Sequence, residues 1–412
     1  MFITLETKIP DSFRVQQVLG MFDLPERSAG RVELAVELPP KEERWTIGAI
    51  VGPSGSGKTT AARAGFGMPS PAPHWPADRP VIDAFGGLSL RQTLALLSAV
   101  GFNSPPAWLR PHNVLSSGEQ FRCDLARRLD ECGPLAPRVG GHSQSESPTL
   151  VLDEFTAHLD RDTARSCSFA LQRFLRGAGV APANGLDRLE TCPTRFVAVT
   201  GHDDVIPWLA PDWVLRMPAG KLDRGPFVTP PLPLRLTRAD RSVWAHFRPH
   251  HYLSGQLARG ATCYVALWSG RPAAFCAVLG QIGHAGRKRI TRLVTLPQFQ
   301  GLGIGMRLAE YVCRLEAERG FRVSIATSHP AVIASCRRSP RWKYLGIKRC
   351  GGTPQCIRGR RLAGSTGRIV AAFEFSAECG VRNAEYESVG IQALSAAAIR
   401  NRRSIPHSAL TP

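Results

Sequence analysis

No stretch of the 412 residues is apolar for the ~20 positions that a membrane-spanning helix needs. No basic-then-apolar leader opens the chain either, because Met1-Phe2-Ile3-Thr4-Leu5 runs at once into Glu6 and Lys8. A cytoplasmic protein with no membrane partner is the expectation. A disulfide framework is also missing. The 11 cysteines are odd in number and scattered, which suits free thiols in a reducing compartment. Cys350 and Cys356 form a close pair, but a structural zinc site takes four ligands and only Cys379 stands nearby, so ordinary thiols are expected. The most informative shortage is of acid. Residues 232–356 hold 20 Lys or Arg against only Asp240, Glu310, Glu316 and Glu318, whereas residues 1–231 hold 24 basic and 25 acidic side chains. The formal charge of +19 therefore belongs mainly to one segment. Solubility needs only a modest net charge of mixed sign. A field this one-sided suits a polyanion, and nucleic acid is the common one.

The length exceeds that of one ordinary core and implies two α/β domains with tails. Residues 47–51 (Ile-Gly-Ala-Ile-Val) read as a buried strand, followed by a glycine-rich loop and a helix from Thr60 to Gly65. Residues 89–100 have helical spacing, 133–148 read as a Gly/Pro/Ser surface loop, and 149–152 and 196–200 as further buried strands. Thr229-Pro-Pro-Leu-Pro233 reads as a stiff linker, which divides the chain into domains 1–231 and 232–356. In the second, strands are expected at 261–268, 272–279, 290–296 and 321–327, with a helix at 303–318. Residues 357–412 are expected to be a partly disordered extension.

Gly52-Pro-Ser54-Gly55-Ser-Gly57-Lys58-Thr59-Thr60 has the composition of a phosphate cradle. Glycines let backbone N–H groups wrap phosphates, Lys58 adds a point charge, and the Thr59 hydroxyl is placed to ligate Mg²⁺. Thr-Leu-Val-Leu-Asp153-Glu154 ends a strand in two carboxylates, one suited to hold Mg²⁺ and one to polarise an attacking water. Leu115-Ser116-Ser117-Gly118-Glu119-Gln120 opens a basic helix whose N-terminus offers a second phosphate surface. In this order the motifs resemble the ABC ATPase superfamily over residues 15–225. The resemblance implies a P-loop NTPase fold binding ATP and Mg²⁺, with Asp153 as Walker B residue, Glu154 as catalytic base and His202 as switch histidine. It further implies a homodimer, with ATP between one subunit's loop and the other's Ser116–Gly118 signature. Departures are Ser117 and Glu119 within the signature, a short interval before it, and no Q-loop glutamine, a place Asp83 takes at best.

Gln300-Gly301-Leu302-Gly303-Ile304-Gly305 lies between an expected strand and helix, where backbone N–H groups meet a pyrophosphate. A dinucleotide fold would end the next strand in an acid, and here it ends Ala326-Thr327-Ser328-His329. Gln300, Gly303 and Gly305 instead resemble the motif of GNAT N-acetyltransferases over residues 233–350. That resemblance implies acetyl-CoA lying between two splayed strands, with Leu296 and the amides of 302–305 holding it. Acetyl transfer needs a base for the amine and an acid for the leaving thiolate. His250, His251, Tyr252, His329 and Tyr344 are the candidates, with His251 and Tyr344 favoured; each also has a plain capping or core reading. Arg337-Arg338-Ser-Pro-Arg341-Trp342-Lys343 is either a stacking phosphate site or a solvated basic loop. The whole reads as an ABC-type ATPase coupled to an acetyltransferase acting on nucleic acid. Two alternatives stay open, a protein or small-amine acetyltransferase and a nucleic-acid-binding ATPase with a non-catalytic GNAT fold.

Overall fold

Short runs of small and β-branched apolar residues, punctuated by glycine and proline, become strands in both halves of the chain. The computed structural model describes residues 1–8, 11–23, 29–132, 149–176, 195–252, 256–350, 356–357, 360–361, 368–376 and 392–393. The loop expected at 133–148, the side chains of Cys350 and Cys356, and Cys379 lie outside that description. Two compact units emerge: Met1–Ala72 with Gly140–His158 and Pro193–Val228, and Pro73–Val139 with Leu159–Cys192 and Thr229–Pro412. This differs from one cut after residue 231, because two helical segments of the first half group with the second.

In the first unit β1 (Phe2–Lys8) and β2 (Ala29–Ala35) pair antiparallel, and α1 (Phe13–Met21) is capped by Ser12. The main sheet holds β3 (Ile47–Val51), β4 (Thr149–Leu152), β5 (Arg195–Thr200), β6 (Trp213–Arg216) and β7 (Lys221–Arg224). Its order is β4-β5-β3-β6-β7, parallel except for β7. Helix α2 (Lys58–Phe66) starts immediately after the glycine-rich loop. Trp213 is fully buried, stacks on Phe66 at 5.2 Å and meets Trp45 edge-on at 5.3 Å. Gly48 makes room for it, since a Cβ there would lie 2.0 Å from the indole.

The second unit opens with α3 (Leu90–Ala99), α4 (Ser117–Cys132) and α5 (Arg161–Leu175). Ser89 and Gln92 form a capping box that starts α3. Buried Arg122 of α4 donates to Ser166 Oγ (3.1 Å) and Cys167 Sγ (3.2 Å) of α5, which joins the two helices.

The sheet of this unit holds β8 (Leu234–Ala239), β9 (Thr262–Trp268), β10 (Arg271–Gly280), β11 (Arg287–Thr295), β12 (Arg322–Thr327), β13 (Trp342–Cys350) and β14 (Arg368–Phe375). The order is β13-β14-β12-β11-β10-β9-β8, with the two-residue strand Gln392–Ala393 beside β8. Strands β8 to β11 run antiparallel, while β11 and β12 are parallel. Helices α6 (Ile304–Ala317) and α7 (Pro330–Arg338) flank β12 in sequence. Glu316 of α6 is fully buried, accepts from Tyr264 Oη at 2.9 Å, and pairs with Lys288 at 2.6 Å and Arg319 at 3.1 Å. An extension beginning at 357 would cut this sheet. Arg368–Phe375 is an interior strand between β12 and β13, and its Val370 and Phe373 are buried.

Candidate active site

A bulge opens the site. Along β10, Ala277 faces Arg292 but Val278 faces Ile290, so Thr291 is an extra residue on β11. Thr291 Oγ1 donates to the Ala277 carbonyl at 3.2 Å and holds the bulge. Bulges bend a strand and locally break its ladder. The β11–β12 pairing covers Arg287–Ile290 against Arg322–Ile325 and stops just before Thr291. Beyond that point β11 stays with β10, and β12 pairs with β14. The strands part as expected, and a cavity of about 870 Å³ lies at the gap, lined by Leu293–Thr295 on one side and Ser328–His329 on the other. That volume is in the range of small-molecule sites.

The glycine turn enters this cavity in two different roles. Gly303 is the left-handed N-cap of α6 (φ 75°), with no side chain capping the helix, so first-turn N–H groups lie at its open end. Gly305 serves packing: a Cβ there would lie 2.6 Å from Thr295 Oγ1. Leu302 is buried. Gln300 and Gly301, expected to hold cofactor, are engaged by the helical segment. Gln300 Oε1 accepts the Asn103 N–H at 2.9 Å, and its Nε2 donates to the Thr295 carbonyl at 3.3 Å. A Cβ on Gly301 (φ 89°) would lie 2.8 Å from Ala170 Cβ of α5. Nothing between 90 and 175 signalled that contact in the sequence, because it joins residues more than a hundred positions apart.

His250, His251, Tyr252 and His329 all line the cavity. His251 stacks on Tyr252 at 5.3 Å and meets Trp244 edge-on at 5.5 Å. Burial, and then the charge of His246, hold the His250 imidazole below its ordinary range. His329 is the N-cap residue of α7. Its Nε2 lies 3.2 Å from the Asn103 carbonyl, which can only accept, so Nε2 carries the proton and Nδ1 is the bare acceptor. Nδ1 is buried and bonded to no donor among the described residues. Burial pushes the His329 pKa down and keeps the ring neutral, against a smaller opposite effect of the Asn103 hydrogen bond. Tyr344 is not in this group. It stands 44 % exposed on β13 against Phe373, with the Arg337 guanidinium 4.9 Å over its ring.

The glycine-rich loop of the first unit is a separate site. Gly52, Gly55 and Gly57 have positive φ, Ser54 is exposed near the tip, and Thr60 follows on α2. Lys58 Nζ donates to the Pro53 carbonyl at 2.7 Å. Thr59 Oγ1 donates to Asp153 Oδ2 at 2.8 Å, which brings a hydroxyl and a carboxylate together. Glu154 is exposed, has φ 52° and lies 3.3 Å from His158 Nε2. His202 is exposed just beyond β5. At the start of α4 in the second unit, Ser116 N–H and Oγ both donate to the Glu119 carboxylate, at 3.1 and 3.0 Å. An anion at Ser116 would have to displace it. A Cβ on Gly118 would come within 3.1 Å of Thr163. No group of three metal-ligating side chains occurs among the described residues, and none of their helices is long and apolar enough to cross a membrane.

The profile of the acetyltransferase (GNAT) family matches residues 232–337. No curated protein matches the chain. Among solved structures, the ribosomal-protein-S18-alanine N-acetyltransferase from Escherichia coli is 15 % identical over 36 % of this chain and 97 % of its own, with a TM-score of 0.27. A Bacillus subtilis acetyltransferase in complex with CoA is 12 % identical over 35 % of this chain and 98 % of its own, with a TM-score of 0.26. A GNAT family acetyltransferase from Elizabethkingia anophelis with acetyl-CoA bound is 13 % identical over the same two shares, with a TM-score of 0.26.

Proposed function

We propose, from the premise that residues 232–337 are a GNAT acetyltransferase domain, that the cavity binds acetyl-CoA and transfers its acetyl group to an amine carried by nucleic acid. The observation that carries the reading is the gap between β11 and β12, with an uncapped helix end on one wall and a neutral imidazole on the other. The first-turn amides of α6 at Gly303–Gly305 and the arginines of the lining suit a pyrophosphate. Acetyl-CoA supplies the acetyl group as an activated thioester. His329 Nδ1 takes the proton of the acceptor amine, while the Asn103 carbonyl fixes the tautomer through Nε2. Tyr252, which lines the same cavity with its ring centroid 6.2 Å from that of His329, replaces Tyr344 as the acid whose hydroxyl protonates the leaving CoA thiolate.

The charge of 232–356 and the exposed residues Lys343, Tyr344, Lys348 and Arg349 along edge strand β13 support nucleic acid as the carrier. An aromatic ring among cations offers a base a stacking surface beside its phosphates. For the first unit the proposal is ATP hydrolysis. The glycine loop and Lys58 fit phosphates, and the converging Thr59 and Asp153 oxygens fit a Mg²⁺ ion. Glu154 would orient water, and the dimer implied by the ABC resemblance would bring in the partner's signature.

Calorimetric titration of the full chain with acetyl-CoA tests the first part. Binding in the micromolar range is expected, and none at millimolar ligand would overturn it. ATP turnover tests the second, with Glu154→Gln expected to lose at least ~100-fold. Equal turnover would remove Glu154 from that role.

A further inference from the structure

Positive charge gathers at one end of the cavity from three helices. Arg173 comes from α5, Arg307 from α6 and Arg338 from the last turn of α7, and all three line the cavity. Arg173 Nη1 lies 3.8 Å from the point a Cβ on Gly303 would occupy, which puts its guanidinium at the N-cap of α6. The single acidic residue of the described lining, Glu310, is committed elsewhere, to Arg341 at 2.8 Å, Trp342 at 3.1 Å and Ser339 at 3.2 Å. Burial lowers the Arg173 pKa, and the charges of Arg338 and then Arg307 lower it further. Burial lowers that of Arg338 as well. Like charges crowded against a positive helix end disfavour the ligand-free protein. An anion with several oxygens sets charge-assisted hydrogen bonds against this burial and mutual repulsion.

Resting on the acetyl-CoA reading of this cavity, we infer that Arg173, which lies outside residues 232–337, joins Arg307 and Arg338 to hold the phosphate groups of acyl-CoA. The helical segment then completes the cofactor site rather than merely covering it. Arg173 also lies 5.8 Å over the Phe169 ring, so its aliphatic stem and guanidinium are already directed along α5. Because Arg338 and Arg307 repel Arg173, removing Arg173 relieves the ligand-free fold while weakening the loaded one.

The test compares wild type with Arg173→Gln in the full chain, by thermal melting and calorimetry. The ligands are acetyl-CoA, acetyl-dephospho-CoA and S-acetylpantetheine. For Arg173→Gln the ligand-free Tm is expected to be equal to or above wild type. Its Kd for acetyl-CoA is expected to rise about 10- to 100-fold, with S-acetylpantetheine unaffected. Loss of the difference with acetyl-dephospho-CoA would assign Arg173 to the 3′-phosphate, and its retention to the pyrophosphate. If wild type binds acetyl-CoA and Arg173→Gln binds it equally, the inference fails while the acetyl-CoA reading stands. A lower ligand-free Tm with unchanged Kd makes Arg173 a packing residue and also overturns it, as does weakened nucleic-acid binding with unchanged acetyl-CoA affinity. If wild type binds no acetyl-CoA, the underlying reading falls and the inference with it.

Discussion

His329 shows how one buried contact sets a side chain's chemistry. With Nε2–H committed to the Asn103 carbonyl, the ring presents Nδ1 only as an acceptor. His329→Gln keeps a donor for Asn103 but removes the base, so kcat should fall by about 10²- to 10⁴-fold with little change in Tm. The pH profile follows from burial, which disfavours the imidazolium. The neutral base persists below the ordinary histidine value of about 6.5, so the acid limb of kcat/KM should lie below it. Stability moves the same way. The unfolded chain takes up the proton first as pH falls, so the folded state loses stability below the ordinary value. An acid limb above about 6.5, measured with the full chain, would contradict the assignment. Gly305 gives a second test. Alanine normally favours a helix over glycine by about 1 kcal/mol, but a Cβ here meets Thr295 Oγ1. Gly305→Ala should therefore destabilise, by about 1–3 kcal/mol in urea unfolding. The glycine pattern was legible in the sequence, whereas the separate jobs of its members were not. His329 read equally well as a helix-entry residue, because Asn103, its orienting partner, lies 226 positions away.

Among the elements, those carried by local pattern were legible. Strands β9 to β12, and helix α6 after the Gly-rich turn, were expected within a few residues of where they lie. Strand β8 escaped because its burial alternates beside the proline-rich linker. Strand β14 escaped because it follows a Gly- and Arg-rich stretch and inserts between β12 and β13, a long-range pairing with no local signature. The bulge at Thr291 was equally silent, since it is a mismatch of register between two strands and not a residue pattern. The docking of α6 rests partly on Glu316, whose buried carboxylate serves Tyr264, Lys288 and Arg319 together. Glu316→Gln leaves two cations facing an amide, and should cost about 3 kcal/mol or more in denaturant unfolding. A change under about 1 kcal/mol would show that solvent compensates Lys288 and Arg319, and that α6 is held by packing alone.

For the whole molecule, charge separation along the chain is the feature that composition exposed most directly. The near-neutral first 231 residues carry the glycine loop, whereas the cavity takes most of its lining from the basic segment and the rest from residues within 91–105, 169–173 and β14. If β13 receives nucleic acid, affinity should fall steeply with salt, and Tyr344→Ala should weaken single strands by about 1–3 kcal/mol per stacked base. A flat salt dependence in a filter-binding or anisotropy titration would rule out the polyanion. The most direct measurement of the central claim is transfer of labelled acetyl groups from acetyl-CoA by the full chain to mixed tRNA, DNA and protein. Wild type and His329→Gln are run side by side. The expected result is label in the nucleic-acid pool with wild type and loss of nearly all of it with His329→Gln. Equal labelling by the two proteins, or label in no pool, would contradict the account.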